Sequence, residues 1–216
     1  MKKVSRLVIL VLMISLVSQT VFSQYKTDKK LEKQLKELID SFHGTSGIYV
    51  RNLKTGKEVA INADTIFPTA SIIKVPILVG IFNKIDEGVF TYHQPLVYKD
   101  SMARGGSGLM QYFKDTTKIE LNVAITLMIS HSDNTAAVWC EKLAGGGITI
   151  NSWLQDHGFQ FTRVNARTPG REMNNKEFGW GQTTPREMAN LMVMIRDGKA
   201  VSAAASQRMY RDLTHV

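Results

Sequence analysis

Hydrophobic residues recur at helical spacing near the start of the chain. Within residues 29–42 the apolar positions fall three or four residues apart, the period of an amphipathic helix, and they are Leu31, Leu35, Leu38, Ile39 and Phe42. Gly44 follows and can end this helix. Residues 47–51 and 58–62 instead alternate in polarity around Lys54-Thr55-Gly56, which predicts two strands joined by a hairpin turn.

A helix is also predicted after Thr69. Thr69 is a candidate N-cap, and the following apolar positions have helical spacing. This helix would carry Ser71 and Lys74 near its N-terminus, where the helix dipole favours negative charge. Pro76 removes one backbone hydrogen bond and should bend it. Residues 92–118 are polar and rich in glycine, and we predict loop there with little helix.

The remainder of the chain is mainly helical in pattern. Further helices are predicted at 119–129, from 133 or 134 to 143, and at 148–157, 185–198 and 202–213. Thr184 and Glu187 form a capping box that opens the fourth of these, with Pro185 at its first position. The chain is thus predicted to be mostly helical, with a few N-terminal strands.

The first residues have the three parts of an export signal. Lys2, Lys3 and Arg6 form a basic start. Residues 7–17 form an apolar run that is too short to span a membrane. Val21-Phe22-Ser23 forms a cleavage site. We expect cleavage between Ser23 and Gln24, which gives a signal peptide over 1–23 and one domain over 24–216. The mature protein would be periplasmic or secreted, with no stable membrane anchor. An uncleaved anchor is the alternative.

Composition excludes several classes of function. The formal charge of +8 falls to +5 without residues 1–23, and basic and acidic side chains are mixed along the chain. No basic block or aromatic stripe supports a nucleic-acid partner. Cys140, the only cysteine, lies among apolar residues and is predicted to be buried and inert. The five histidines are far apart in sequence, so we expect neither a metal site nor a cofactor.

Two short elements carry candidate chemistry. Ser71 and Lys74 are spaced i to i+3, which places the hydroxyl and the amine on one face of a helix. There the amine can take the hydroxyl proton and activate a nucleophile. Ser132-Asp133-Asn134 supplies a second hydroxyl and an amide on a tight turn, suited to passing a proton to a leaving nitrogen. Together they predict serine acyl transfer.

These elements resemble those of the class A β-lactamases, which are penicillin-recognising serine hydrolases. The resemblance covers nearly all of residues 24–216, and it rests on Phe67-Pro68-Thr69-Ala70-Ser71 leading to Lys74, on Ser132-Asp133-Asn134-Thr135-Ala136-Ala137, on Thr162-Arg163-Val164, and on Thr183-Thr184-Pro185-Arg186-Glu187-Met188. It implies an α+β fold of the β-lactamase/transpeptidase type, with a helical layer beside an α/β layer that contains an antiparallel sheet, and a site at the junction of the two layers.

The resemblance also implies a role for each site residue. Ser71 would attack the lactam carbonyl and form an acyl-enzyme, and Lys74 would help to deprotonate it. Ser132 would relay a proton to the lactam nitrogen, while Asn134 would bind the acylamide of the substrate. Asp133 would orient the turn, and by its position it is also a candidate N-cap of the next helix. The implied partner is a small-molecule β-lactam, and we expect a monomer.

One departure from the family concerns hydrolysis of the acyl-enzyme. Counting from the flanking motifs places Thr168 where the family has its catalytic glutamate, and threonine is no general base. Glu172 follows four residues later, on the same face if this loop is helical. We hypothesise that Glu172 supplies the deacylation base from this neighbouring position. The alternative is a surface ion pair between Glu172 and Arg167 or Arg171.

A second departure is the family's third motif, Lys-Thr/Ser-Gly, which no residue after the nucleophile provides. Lys54-Thr55-Gly56 precedes Ser71 and cannot replace it. The family's last strands and final helix would then be missing after Val216. We therefore expect this polypeptide to be inactive or poorly folded, and an intact parent to be active.

Two other functions fit the same residues. A D-alanyl-D-alanine peptidase uses the same serine, lysine and Ser-x-Asn logic and would tolerate the absent glutamate. Rapid covalent labelling by a penicillin without turnover would favour it. A non-catalytic envelope protein with the same fold is the other candidate, and failure of any penicillin to label Ser71 would favour that function.

Overall fold

The computed structural model of the protein describes residues 26–214. The predicted signal peptide over residues 1–23 lies outside this range. The helices are α1 (Lys29–Ile39), α2 (Lys74–Asp86), α3 (Leu121–Ser130), α4 (Asn134–Leu143), α5 (Gly146–Asp156), α6 (Glu172–Phe178), α7 (Pro185–Arg196) and α8 (Ala203–Thr214). The strands are β1 (Ile48–Arg51), β2 (Glu58–Ile61), β3 (Phe67–Pro68), β4 (Pro95–Val97), β5 (Lys118–Glu120), β6 (Arg163–Val164) and β7 (Gly181–Thr183).

The strands form three small antiparallel sheets. β1 and β2 make a hairpin in which Ile48 lies opposite Ile61, as the alternating pattern predicted. Lys54-Thr55-Gly56 lies in its turn, where Asn52 Oδ1 accepts from the backbone N–H groups of the first two residues. The second sheet has the order β3-β7-β6, and the third is the pair β4-β5. This hairpin turn is thus a local structural feature.

Helix α2 is the centre of the core. Nine of its residues, 74–82, are buried, because α3, α4, α5 and α8 pack around it. Its apolar side chains join the core with those of neighbouring helices, among them Ile77, Leu78, Ile81, Ile125, Met128, Ile150 and Leu154. A helix that is apolar on all sides is stable only when it is covered on all sides. Lys74 is therefore the polar exception in a buried helix.

The start of α2 differs from the prediction. Residues 70–73 form a 3₁₀ turn, and the α-helix begins only at Lys74. Thr69 lies at the N-cap position of this 3₁₀ turn, as predicted, but its side chain makes no capping hydrogen bond. Pro76 is the third residue of the α-helix, where backbone N–H groups have no partner within the helix. The proline therefore costs this helix no backbone hydrogen bond, and the reason given for a bend does not apply.

Residues 92–118 contain more structure than predicted. β4 pairs with β5, with Leu96 opposite Ile119, and two 3₁₀ turns lie between these strands. Helix α3 consequently begins at Leu121 and not at residue 119. The pairing joins segments more than twenty residues apart, which a local polarity pattern does not reveal.

Only one of the two hydrogen bonds of the capping box predicted at the start of α7 is formed. Thr184 accepts a hydrogen bond from the Glu187 N–H, and Pro185 is the first helical residue. The Glu187 carboxylate does not return to the cap. It accepts instead from the backbone N–H groups of Gln160, Phe161 and Thr162. This side chain thus fastens the segment before β6 to α7. No helix within residues 26–214 is long and apolar enough to span a bilayer.

Candidate active site

Ser71 lies on the 3₁₀ turn between β3 and α2, with its side chain exposed. The preceding Ala70 has φ +43°, a left-handed backbone conformation that residues other than glycine adopt at a cost of about 1–3 kcal/mol. Thr69 is anchored to the sheet, because its N–H donates to the Gly181 carbonyl of β7 at 2.9 Å. The surrounding structure therefore holds the serine on a strained corner.

Lys74 lies below this corner and is only 3 % exposed. Its Nζ lies 3.2 Å from Ser71 Oγ, as the i to i+3 spacing predicted. The same nitrogen donates to Ser132 at two atoms, the carbonyl oxygen at 2.5 Å and Oγ at 2.9 Å. It also donates to Asn134 Oδ1 at 3.0 Å. One amine thus joins both hydroxyls and the amide that the sequence singled out.

Burial lowers the pKa of Lys74, because the ammonium loses hydration, and the nearby Asp133 carboxylate partly offsets this by raising the pKa. A lowered pKa increases the fraction of neutral amine near pH 7. Only the neutral amine can accept the Ser71 proton. The surroundings of Lys74 therefore favour its use as a base.

Asp133 holds the turn that presents Ser132. It is fully buried, and Oδ1 accepts from the Ala136 N–H at 2.8 Å, which caps α4 as predicted. Oδ2 accepts from the N–H groups of Leu109 and Met110. Ser132 itself has φ +51°, a second strained residue in the cluster. One carboxylate thus fixes the turn, the start of α4 and the loop above them.

The loop over the turn is fastened closely to α4. The Asn134 N–H donates to the Ser107 carbonyl, and its side-chain Nδ2 donates to the Gly105 carbonyl at 3.1 Å. Gly108 has φ +110°, and a Cβ there would overlap the Asp133 backbone. Only glycine allows this approach. The loop therefore forms one wall beside the two hydroxyls.

The structure does not bring Glu172 to this cluster. Glu172 is the first residue of α6, so Thr168 and Glu172 do not share a helix face as the hypothesis required. Its side chain is exposed, and Oε1 accepts from the Gly170 N–H at 3.0 Å. Backbone hydrogen bonds lower its pKa. Among the described residues, Glu172 forms no hydrogen bond with Ser71, Lys74 or Ser132.

The alternative ion pairs of Glu172 are not formed either. Arg171 donates to the side chains of Asn165 and Gln182. Arg167 pairs with Glu141 of α4. Thr168 is buried, and its hydroxyl donates to the Ala166 carbonyl at 3.3 Å. The loop therefore offers Ser71 no carboxylate from either predicted position.

The described range shows no metal centre. Among residues 26–214 no three His, Cys, Asp or Glu side chains form a group that could hold a metal ion. Cys140 is buried as predicted, and burial raises the pKa of its thiol to about 12. This cysteine is therefore not a nucleophile near neutral pH.

This chain is similar to known proteins in both sequence and fold. Residues 30–215 match the model of the β-lactamase enzyme family. The chain belongs to this family. The β-lactamase VEB-1 of Pseudomonas aeruginosa is 25 % identical over 203 residues, which cover 92 % of this chain and 66 % of VEB-1. The β-lactamase regulatory protein BlaB of Streptomyces cacaoi is 32 % identical over 184 residues, which cover 83 % of this chain and 56 % of BlaB.

PBP-A is a relative of known structure with the same fold, and its TM-score with this chain is 0.76. The two sequences are 31 % identical, and the match covers 87 % of this chain and 69 % of PBP-A. A mutant of PBP-A has been solved as an acyl-enzyme complex with penicillin G. These likenesses confirm the β-lactamase/transpeptidase-like α+β fold. The chain spans about two thirds of VEB-1 and just over half of BlaB.

The sequence patterns did not indicate that Trp180 lies beside Lys74. The Trp180 ring centroid lies 5.5 Å from Lys74 Nζ, and Trp180 Nε1 donates to Glu141 Oε2 at 3.1 Å. A glutamate within the apolar run of α4 was the available signal, because a buried carboxylate requires partners.

Proposed function

We propose that this protein is a serine enzyme of the β-lactamase type, in which a β-lactam acylates Ser71. Ser71 Oγ attacks the lactam carbonyl, an O–C bond forms, and the C–N bond of the ring breaks. Lys74 accepts the Ser71 proton and passes a proton on to Ser132 Oγ, while the Ser132 hydroxyl gives its own proton to the leaving nitrogen. The supporting observation is the position of Lys74 Nζ, within hydrogen-bond distance of both hydroxyls.

Asn134 has the geometry for its proposed role in substrate binding. Its Oδ1 accepts from Lys74, and one N–H of Nδ2 donates to the Gly105 carbonyl. An amide nitrogen carries two N–H groups, so a second one is left for the acylamide carbonyl of a substrate. The backbone N–H of Ser71 would stabilise the negative charge that develops on the lactam oxygen.

A second candidate is a penicillin-binding protein of the D-alanyl-D-alanine peptidase type, which forms the same acyl-enzyme and releases it slowly. The observation that favours it is the loop around Thr168, where threonine replaces the expected base and Glu172 is exposed. The likeness to PBP-A, a mutant of which has been solved as an acyl-enzyme complex with penicillin G, also supports this candidate. The two functions share acylation and differ in the release step.

A labelling experiment tests both. The protein is mixed with a fluorescent penicillin, and with nitrocefin as a chromogenic substrate, beside a Ser71→Ala control. We expect covalent label on the peptide that contains Ser71, and none in the control. Nitrocefin turnover as fast as labelling would support the β-lactamase, whereas stable label without turnover would support the penicillin-binding protein. No label on Ser71 under any condition would contradict both and favour the non-catalytic envelope protein.

We further propose a periplasmic or secreted location after removal of residues 1–23, since these have the parts of an export signal. Expression with this segment, fractionation and N-terminal sequencing of the mature protein test the proposal. Gln24 should be its first residue. A cytoplasmic protein that begins at Met1 would contradict it.

A further inference from the structure

The indole of Trp180 contacts both the Lys74 ammonium and an ion pair whose carboxylate is buried. Lys74 Nζ is 5.5 Å from the ring centroid. Indole Nε1 donates to Oε2 of Glu141, whose side chain is only 4 % exposed. The same oxygen pairs with the Arg167 guanidinium. A buried carboxylate thus anchors the ring beside the amine that the proposed acylation uses.

The ring is held from further directions. The Arg167 guanidinium carbon lies 5.1 Å from the ring centroid, within the range of a cation–π contact. The Trp180 carbonyl accepts from the backbone N–H groups of Asn165 and Ala166 at 2.8 and 3.0 Å. Side chain and backbone of Trp180 are therefore both fixed, and its aromatic face has a defined position relative to Lys74.

The charges around Lys74 come from three elements. Asp133, on the turn before α4, raises the pKa of the amine. Glu141 of α4 and Arg167 of the loop before α6 are paired with each other, and both contact the indole. The indole is thus a shared neighbour of Lys74 and this ion pair. An aromatic face carries partial negative charge and stabilises an ammonium over a neutral amine.

We propose that Trp180 is a positioning residue for acylation of Ser71. Its aromatic face stabilises the charged form of Lys74 and so sets the pH at which the amine becomes neutral and can accept the Ser71 proton. Glu141 holds the ring in place through its hydrogen bond with the indole. This inference rests on the proposed function, since it concerns the same proton transfer.

The first test is the pH dependence of Ser71 labelling by a fluorescent penicillin, from about pH 5 to 10. Trp180→Leu removes the aromatic face, so the pKa of Lys74 falls. The midpoint of the rise in labelling rate should move down by roughly 0.5–1 pH unit. Trp180→Phe keeps an aromatic face and should move it less. The control is Trp153→Phe on α5, a half-buried tryptophan stacked on His157, which should leave the midpoint unchanged.

A midpoint in Trp180→Leu equal to that of the parent, with similar thermal unfolding, would overturn the inference. A second measurement uses the unsubstituted protein and does not depend on the stability of a variant. The indole N–H resonance of Trp180, assigned by its loss in Trp180→Phe, should titrate with the labelling midpoint, while that of the buried Trp139 stays constant. A Trp180 resonance that is constant through this range would also overturn the inference.

These results separate the two proposals. A parent protein that no penicillin labels contradicts the proposed function, and the resonance of Trp180 then still reports whether the indole senses the charge of Lys74. Labelling of the parent together with an unmoved midpoint in Trp180→Leu contradicts only the role of Trp180.

Discussion

Lys74 combines two properties at the scale of single residues. It is a buried cation in an apolar helix, and four oxygen atoms lie within hydrogen-bond distance of its nitrogen. Burial lowers the pKa and the Asp133 carboxylate raises it, while hydrogen bonds to these oxygen atoms also favour the charged form. The balance sets how much of the amine is neutral. Labelling of Ser71 should therefore be slow at low pH, where Lys74 is charged, and rise as pH passes through its pKa.

Lys74→Arg tests this use of the amine. A guanidinium remains charged at every pH of interest and cannot accept a proton. We expect the rate of Ser71 labelling to fall by about 10²–10⁴-fold and to lose its rise with pH. Lys84→Arg, in the last turn of the same helix, is the matched control and should label like the parent. A Lys74→Arg variant that labels normally would exclude Lys74 as the base.

Glu172→Gln tests the hypothesis of a displaced deacylation base. The glutamine can still accept from the Gly170 N–H, so the loop should keep its conformation. Because the Glu172 side chain is exposed and bonded within its own turn, we expect the lifetime of the acyl-enzyme to be unchanged. The measurement is the loss of fluorescent acyl group from Ser71 over time. A several-fold longer lifetime would restore the hypothesis.

At the scale of elements, Asp133 joins the turn, α4 and the loop above the site. Asp133→Ala removes an N-cap and leaves two further backbone N–H groups, those of Leu109 and Met110, without this acceptor. We expect the free energy of unfolding to fall by about 3 kcal/mol. Denaturant unfolding measures this loss.

The matched control is Asp28→Ala. Asp28 caps α1 through one hydrogen bond to the Leu31 N–H, at a more exposed site. Its loss should cost about 1 kcal/mol or less. Equal costs for the two substitutions would show that the contacts of Asp133 with the loop add no stability.

At the scale of the whole molecule, Cys140 reports on opening of the core. Its thiol is fully buried with a pKa of about 12, so little thiolate forms in the folded state. At pH 8 we expect modification by a disulfide reagent to be slower than for a free thiol by about 10³-fold or more. The same reagent should react rapidly in denaturant. Fast modification of the native protein would contradict a closed core.

The expectation that this polypeptide is inactive or poorly folded stays a prediction. β1 pairs with β2 alone among the described strands, and an apolar groove runs beside it. Ile72 and Met192 line that groove and are 45 % and 40 % exposed. A single cooperative thermal transition, together with labelling of Ser71, would contradict the expectation.

The sequence determined what depends on neighbours along the chain. The hairpin turn at Lys54-Thr55-Gly56 and the caps at Asp133 and Thr184 are local hydrogen-bonding arrangements, which adjacent residues encode. The contact between Ser71 and Lys74 follows from helical geometry over three residues. Each of these features is therefore present in the structure as the sequence predicted.

Tertiary packing decided the remainder, because contacts between distant segments depend on how buried surfaces fit together. It brings Ser132 to Lys74 across 58 residues, and it turns the Glu187 side chain from its predicted cap to a backbone segment 25 to 27 residues away. It also brings Trp180 into contact with both Lys74 and Glu141. Hydrophobic and polar patterns specify which side chains are buried, but the partner that each buried polar group finds is settled only by the packed fold.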